Sequence, residues 1–254
     1  IVPFLGLGGG WGAAVFNRDW HVHEMLFGYT SAVVVGYMIV AGANWTGHYP
    51  VAGRPVMALA ALWILGRIAM LAQPALGPAA AVIEASFLVI FALALWREQL
   101  AASNWRSLAP CIVVSLIALA NIGFHLGPLW PGLGAGAERA AMALIGFLIA
   151  LMGGRLVPSF TRNWFARHRI RPEPAPQDRF DRAVLALTGA GLAVWVILPE
   201  AWPGGVLLVL GGVGLLIRLL RWRGSPCFLS GQVNDAFCPD CRRNRDHRHL
   251  ARRR

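Results

Sequence analysis

The sequence predicts an all-α fold, a polytopic transmembrane helical bundle of about seven or eight spans. Three observations lead to this prediction: 57% of the 254 residues are hydrophobic, the mean hydropathy is +0.56, and apolar runs of nearly 20 residues recur along the chain. A single water-soluble core of this length cannot hide so much apolar surface, so a bilayer is the expected solvent. A helix needs about 20 apolar residues to cross the hydrocarbon layer, and the runs are too long for strands.

Seven complete runs and one partial run are bounded by charge, proline or tryptophan. The partial run covers residues 2–16. The complete runs cover residues 24–42, 55–71, 78–96, 108–126, 139–157, 183–198 and 204–220. We therefore predict a helical bundle over residues 1–223, followed by a polar Arg-, Cys- and His-rich tail, residues 224–254, that is disordered or aberrant.

The basic residues are all arginines, which give a net charge of +11, and most lie in residues 155–182 and 218–254. Arginine in short loops keeps those loops in the cytoplasm. We therefore expect the Arg-rich loop 155–182 and the C-terminus to be cytoplasmic. A pI near 11.2 would suggest nucleic-acid binding in a soluble protein, but here topology accounts for the charge, and the expected partner is the lipid bilayer.

Histidines from separate runs gather at the opposite, periplasmic end of the predicted bundle. His21 and His23 open the run 24–42, and His125 closes the run 108–126 at the same depth. Asn121 stands four residues before His125 and shares its helix face. Histidine is a ligand of haem and of copper, so these residues predict a cofactor or metal site. Its candidate residues are His21, His23, His125 and Met25 as metal ligands, with Glu24 and Asn121 in support.

The same histidines also have a structural interpretation. An interfacial histidine can reach toward the lipid headgroups, and His125 can form a hydrogen bond with Asn121 at the end of its helix. If the helix already includes His23, then His21 and His23 point to nearly opposite sides. Both residues would bind one metal only if the chain were extended there.

Two ionisable residues, Arg67 and Glu84, lie deeper in the predicted membrane. A charge in the middle of a span costs about 2.5–3.5 kcal/mol on insertion, which favours a partner or a functional site. Arg67 comes shortly before the end of one run and Glu84 shortly after the start of the next, so the two reach similar depth across a short hairpin. We predict a structural ion pair; the alternative is a polar centre of a transporter or channel, with Asn121.

The tail contains a Cys-x-x-Cys sequence, Cys238 to Cys241, followed by His247 and His249. This spacing is typical of half of a zinc site. A second Cys-x-x-Cys is missing, and the surrounding stretch has no apolar periodicity. The tail is therefore not expected to bind zinc.

Four separated blocks of sequence carry a family resemblance. They are Trp20–Tyr29 (WHVHEMLFGY), Asn44–Gly47 with Gly53–Pro55, Asn121 with Phe124–His125, and Gly153–Asn163 (GGRLVPSFTRN). In this order they resemble the NnrS family over about residues 20–165. The resemblance implies a bacterial inner-membrane protein that contains haem and copper and is associated with denitrification and with nitric oxide and nitrosative stress. It implies nitric oxide as a small-molecule partner, but no particular reaction or electron partner.

The resemblance also implies about a dozen spans, so the chain is expected to be truncated. A frameshift or premature stop after Arg221–Gly224 would explain the polar tail. Three hypotheses follow: a membrane haem and copper protein, a transporter or channel module without a metal cofactor, and a non-functional truncated fragment.

Overall fold

The structure, a computed structural model, describes residues 17–46, 51–102, 108–168 and 177–222. Every regular element in these ranges is helical, so the predicted all-α fold is confirmed. The elements are α1 (Arg18–His23), a π-helical turn (Glu24–Tyr29), α2 (Thr30–Thr46), α3 (Arg54–Leu71), the short α4 (Gln73–Leu76), α5 (Pro78–Ala101), α6 (Leu108–Leu126), α7 (Leu133–His168), α8 (Arg179–Ile197) and α9 (Trp202–Arg221).

Seven helical stretches in the described part of the chain are long and apolar enough to cross a membrane. They are Arg18–Gly42, Arg54–Leu71, Pro78–Ala101, Leu108–Leu126, Leu133–Arg167, Arg179–Ile197 and Trp202–Arg221. Large apolar side chains such as Val82 and Ile197 lie on their outer faces, with 71% and 74% of their surface exposed. Such faces need lipid as solvent. The partial run 2–16 and the tail 224–254 lie outside the described residues.

Helix α7 is longer than the run 139–157 that predicted it. Its 36 residues measure about 54 Å at 1.5 Å per residue, against about 30 Å for the hydrocarbon layer. Arg155 and Pro158 end the apolar run, but the helix continues to His168 with Pro158 inside it. The expected loop 155–182 is therefore helical up to His168 and again from Arg179. Arg155 therefore marks the edge of the apolar run, and α7 continues beyond it.

Glycine and proline set the hairpin that joins α3 to α5. Gly77 adopts a φ of 54°, which favours glycine, and Pro78 follows it as the first residue of α5. Helices α3 and α5 pack against each other. A Cβ at Gly66 would lie 3.3 Å from the Glu84 Cα atom, so a glycine at this crossing keeps the two backbones close.

The chain divides into two compact units, Ile1–Ile145 and Gly146–Arg254, with the boundary inside α7. In the first unit, α5 packs on α3 and on α6. In the second unit, α8 and α9 pack against each other as an antiparallel hairpin.

A buried arginine joins the helices of the second unit. Arg218 Nε donates to Asp181 Oδ1 at 2.8 Å, and Nη1 donates to the Ala150 carbonyl oxygen at 3.1 Å. The guanidinium also lies over the Trp222 ring, 4.7 Å from its centre. Gly154 faces the guanidinium so closely that a Cβ there would overlap it. This intramembrane charge is fully paired, as its burial requires.

The N-terminus of α8 is capped by Asp178, whose carboxylate accepts from the Phe180 and Asp181 backbone amides. Asp181 returns a hydrogen bond to the Asp178 amide, which completes a capping box. Arg221, on the neighbouring helix, donates to Asp178. This hydrogen bond lowers the pKa of the Asp178 carboxyl to about 2. The charged ends of α8 and α9 thus pair at one edge of the hairpin.

We predict that Gly154→Ala lowers the free energy of unfolding by about 2 kcal/mol relative to Gly153→Ala. The added methyl group at residue 154 would push the Arg218 guanidinium away from Asp181, and overpacking of this kind costs about 1–3 kcal/mol. The control adds the same methyl group one residue earlier, where nothing lies within 4 Å. Unfolding in detergent micelles measures both; equal stabilities would contradict the proposed crowding at Gly154.

Candidate metal centre

The carboxylate of Glu84 lies at the centre of a polar cluster in the first unit, and its side chain is 0% exposed. Arg67 Nη2 donates to Oε1 at 2.6 Å. Asn121 Nδ2 donates to Oε2 at 2.9 Å, and His125 Nε2 lies 3.0 Å from the same oxygen. His23 Nε2 lies 3.4 Å from Oε2. Glu84 therefore connects α5 to α1, α3 and α6.

Arg67 joins a second carboxylate to the cluster. Its Nη1 donates to Glu24 Oε1 at 2.6 Å, so one guanidinium bridges two carboxylates. Trp63, one turn earlier on α3, lies beneath the guanidinium, with its ring centre 6.0 Å away. Two carboxylates and one guanidinium leave a net charge of −1 when both imidazoles are neutral.

The π-helical turn Glu24–Tyr29 begins directly after His23. Such turns are rare and are found frequently at functional sites. Gly28 lies within this turn, and a Cβ there would overlap Arg67 Nη1 and lie 2.8 Å from Glu24 Oε2. Trp63 Nε1 donates to the Gly28 carbonyl oxygen at 2.9 Å, which fixes the turn against α3. The missing side chain of Gly28 is what lets Arg67 reach Glu24.

Three residues of the cluster offer the ligand atoms of a metal site. His23, Glu84 and His125 each place one nitrogen or oxygen atom so that all three lie within 4.8 Å of one another. His23 is fully buried and contacts Phe27 and Phe124, with ring centres 5.4 Å apart in each case. Its Nδ1 atom forms no hydrogen bond with the described residues and lies 3.4 Å from Glu24 Oε1.

A cavity of about 470 Å³ lies beside this group of ligand atoms. His23 and His125 both line it, whereas the remaining members of the cluster, Glu24, Glu84, Asn121 and Arg67, do not. The two imidazoles therefore stand between the buried carboxylate and the cavity.

The structure brings together four of the residues that the sequence singled out as a cofactor site: His23, Glu24, Asn121 and His125. It leaves out His21, which is exposed, and Met25, which is 46% exposed. The reason is the helical geometry of α1, which turns His21 about 200° away from His23. The extended start that would let both histidines bind one metal does not form.

The sequence treated Arg67 and Glu84 as a separate ion pair. The structure places their charged atoms 2.6 Å apart, but in the same network as the histidines. The ligand role open to Glu84 was therefore missed. The sequence did contain a sign of this role, because Glu84 and His125 both lie near the same end of neighbouring apolar runs.

Comparison with known proteins identifies the family. A family model described as NnrS protein matches residues 2–232. The chain belongs to the NnrS family. No curated protein and no solved structure matches it. The NnrS match includes all the described helices and every residue of the metal-ligand group.

The resemblance to NnrS proteins implied haem and copper, and the cluster fits these two groups differently. Two imidazoles and a carboxylate suit a single small ion such as copper, iron or zinc. They do not fit the two axial positions of one haem. Both Nε2 atoms approach the same Glu84 oxygen, and the ring centres are only 4.8 Å apart at 51°. No macrocycle can lie between rings in direct contact.

We predict that Glu84→Gln lowers the free energy of unfolding by about 3 kcal/mol. Removing one partner of a buried ion pair costs about 3–5 kcal/mol, and the lower value applies because Arg67 retains Glu24. Glu200→Gln removes an exposed carboxylate in a turn and serves as the control. Unfolding of the two variants in the same detergent measures the difference; if the variants are equally stable, the cluster does not depend on the Glu84 charge.

Proposed function

We propose that this NnrS-family chain is a bacterial inner-membrane metalloprotein of the response to nitric oxide and nitrosative stress, associated with denitrification. The observation that carries the proposal is the convergence of His23, Glu84 and His125 within 4.8 Å at a buried position between apolar helices. Three ligand-type residues from three separate helices rarely meet in a membrane without a function.

The charge of the cluster supports a bound cation. Glu24 and Glu84 against Arg67 leave one negative charge uncompensated when the imidazoles are neutral. A buried charge without compensation is costly, so the cluster has one unit of negative charge for a metal ion to offset. The ligand atoms of His23, His125 and Glu84 Oε2 already face one another.

The second carboxylate has a supporting role in this proposal. A histidine that binds metal usually donates its other ring N–H to a carboxylate or a carbonyl group, which fixes the ring. In the structure His23 Nε2 lies 3.3 Å from the acceptor oxygen Oδ1 of Asn121, so metal binding would require the His23 proton on Nδ1, which lies 3.4 Å from Glu24 Oε1. The Nε2 lone pair would then face the metal-ligand group. Arg67 holds Glu24 and Glu84 in place, and Asn121 fixes the Glu84 oxygen that would bind the ion.

Copper is the ion that we assign to this group, because imidazole suits copper and the family resemblance implies it. Bound copper supplies one-electron redox chemistry and positions for small ligands. The haem implied by the same resemblance would not take His23 and His125 as its axial pair.

We further propose that the metal-ligand group lies near the periplasmic face. The extension of α7 beyond its apolar part carries Arg155, Arg162 and Arg167, and arginine favours the cytoplasmic side. Alternating spans then assign the ends of α3 and α6 that carry Arg67 and His125 to the periplasmic side.

We predict that His23→Ala and His125→Ala each weaken copper binding by more than about 100-fold, because losing a supporting partner alone costs 10–100-fold. His21→Ala is the matched control, since His21 is exposed and lies only two residues from His23. Metal analysis and electron paramagnetic resonance of the detergent-purified protein, with an absorption spectrum for haem, provide the readouts.

The outcomes separate the candidate functions. Copper signals that survive in both the His23 and His125 variants would move the metal elsewhere. A folded protein with neither copper nor haem would favour a transporter or channel module without a metal cofactor.

The physiological role calls for a test in cells. A bacterium that lacks its own copy of this gene should regain growth under a nitric oxide donor when it carries the wild-type chain or His21→Ala, but not His125→Ala. Immunoblots of the membrane fraction should show equal amounts of the three proteins. Equal rescue by His125→Ala would contradict a role of the metal centre in this response.

A further inference from the structure

The cavity beside the metal-ligand group is also lined by charged residues. Besides His23 and His125, it is lined by Arg18, Asp19 and Glu138. Asp19 and Arg18 are 74% and 72% exposed, while Glu138 is mostly buried. The cavity is thus lined both by a charged rim, made of the exposed Arg18 and Asp19 and the mostly buried Glu138, and by two imidazoles, the buried His23 and the partly buried His125.

Arg18 holds this rim together. Its Nη2 donates to Glu138 Oε1 at 3.1 Å, and its Nη1 donates to Asp19 Oδ1 at 3.3 Å. The first contact joins α1 to α7 between residues 120 positions apart in the chain. Two carboxylates and one guanidinium give the rim a net charge of −1. An exposed ion pair of this kind contributes little to stability, about 0–1 kcal/mol, so little free energy is needed to separate Arg18 from the carboxylates.

The wall beside the rim is closely packed. Gly127 and Gly134, which both line the cavity, approach so closely that a Cβ at Gly127 would lie 2.8 Å from the Gly134 Cα atom. No side chain can be added there without moving backbone. The cavity is therefore bounded by closely packed backbone at Gly127 and Gly134, while the Arg18 side chain is largely exposed.

The geometry points to this cavity as the route by which a hydrated metal cation reaches His23 and His125, with Arg18 as the residue that controls its uptake. This inference rests on the proposed metal centre. The net charge of −1 on the rim attracts a cation, because an excess of one sign of charge along a cleft raises the local concentration of counter-ions. Arg18 donates hydrogen bonds to both carboxylates and opposes that attraction. An entering cation must therefore displace the Arg18 guanidinium from the carboxylates. Inside the rim, His23 and His125 are the first imidazoles that the cation meets.

The test measures association rates across the Arg18–Glu138 pair. We use Co(II), which stays an aqua dication near neutral pH and gives visible absorption bands with imidazole and carboxylate ligands. Stopped-flow absorbance at 0.1 M ionic strength follows its binding to the metal-free, detergent-purified full chain. Arg18→Gln changes the rim charge from −1 to −2, and Glu138→Gln changes it to 0. The association rate constant should rise about 3-fold or more in the first variant and fall about 3-fold or more in the second.

The informative result is that the two substitutions change the association rate constant in opposite directions. Both substitutions break the same ion pair, so a purely structural role would move both rates in the same direction. Arg54→Gln is the control: it removes the same charge from the first turn of α3, about 20 Å along the helix from Arg67, and should leave the rate within about 2-fold. At 1 M salt, where the Debye length is about 3 Å, the differences between variants should shrink.

Two other outcomes would overturn the inference while leaving the metal centre in place. In the first, Co(II) binds in a His125-dependent manner but the Arg18 and Glu138 variants change the rate in the same direction or not at all. In the second, Arg54→Gln has as large an effect as Arg18→Gln. If wild-type protein and His125→Ala bind Co(II) equally, the proposed metal centre itself fails, and the uptake route fails with it.

Discussion

The carboxylate of Glu84 has no contact with solvent, and a charge in that position must be compensated by its neighbours. The first unit is organised around this requirement. Arg67, Asn121 and His125 each direct a polar group at the carboxylate, and His23 approaches it from α1. These groups belong to three helices, α1, α3 and α6, and Glu84 belongs to a fourth, so satisfying one carboxylate also fixes the crossing of four helical segments.

Meeting that requirement needs space as well as charge. The Arg67 side chain reaches Glu24 only because Gly28 has no side chain, and α3 comes close to Glu84 only because residue 66 is glycine. Rows of small residues let helices approach closely in membranes. There the hydrophobic effect does not drive helices together, because lipid tails are as apolar as the side chains. In this unit the small residues do more than allow close packing, since they lie where charged side chains must pass.

The second unit solves the same problem with other residues. Arg218 is the buried charge, Asp181 and the Ala150 carbonyl group are its partners, and Gly154 provides the space. This network has no histidine among the described residues, and it connects α7, α8 and α9 as a structural element. The first unit differs from the second in three respects. Two imidazoles approach its buried carboxylate, its cluster has a net negative charge when these imidazoles are neutral, and a cavity adjoins it.

The sequence alone determined the seven membrane-spanning runs, because the length and polarity of a span follow from the thickness of the bilayer. It also placed Arg67 and Glu84 at similar depth, and His21, His23 and His125 together at the nearby outer end, since depth depends only on distance along a helix. It did not determine which way each side chain faces around its helix. The π-helical turn after His23 and the helical start at Arg18 decided that His23 is buried and His21 exposed. Only packing between helices decided that the ion pair and the histidines form one cluster. The face that a helix turns toward the bundle is set by the neighbouring helices, and no local signal in the sequence specifies it.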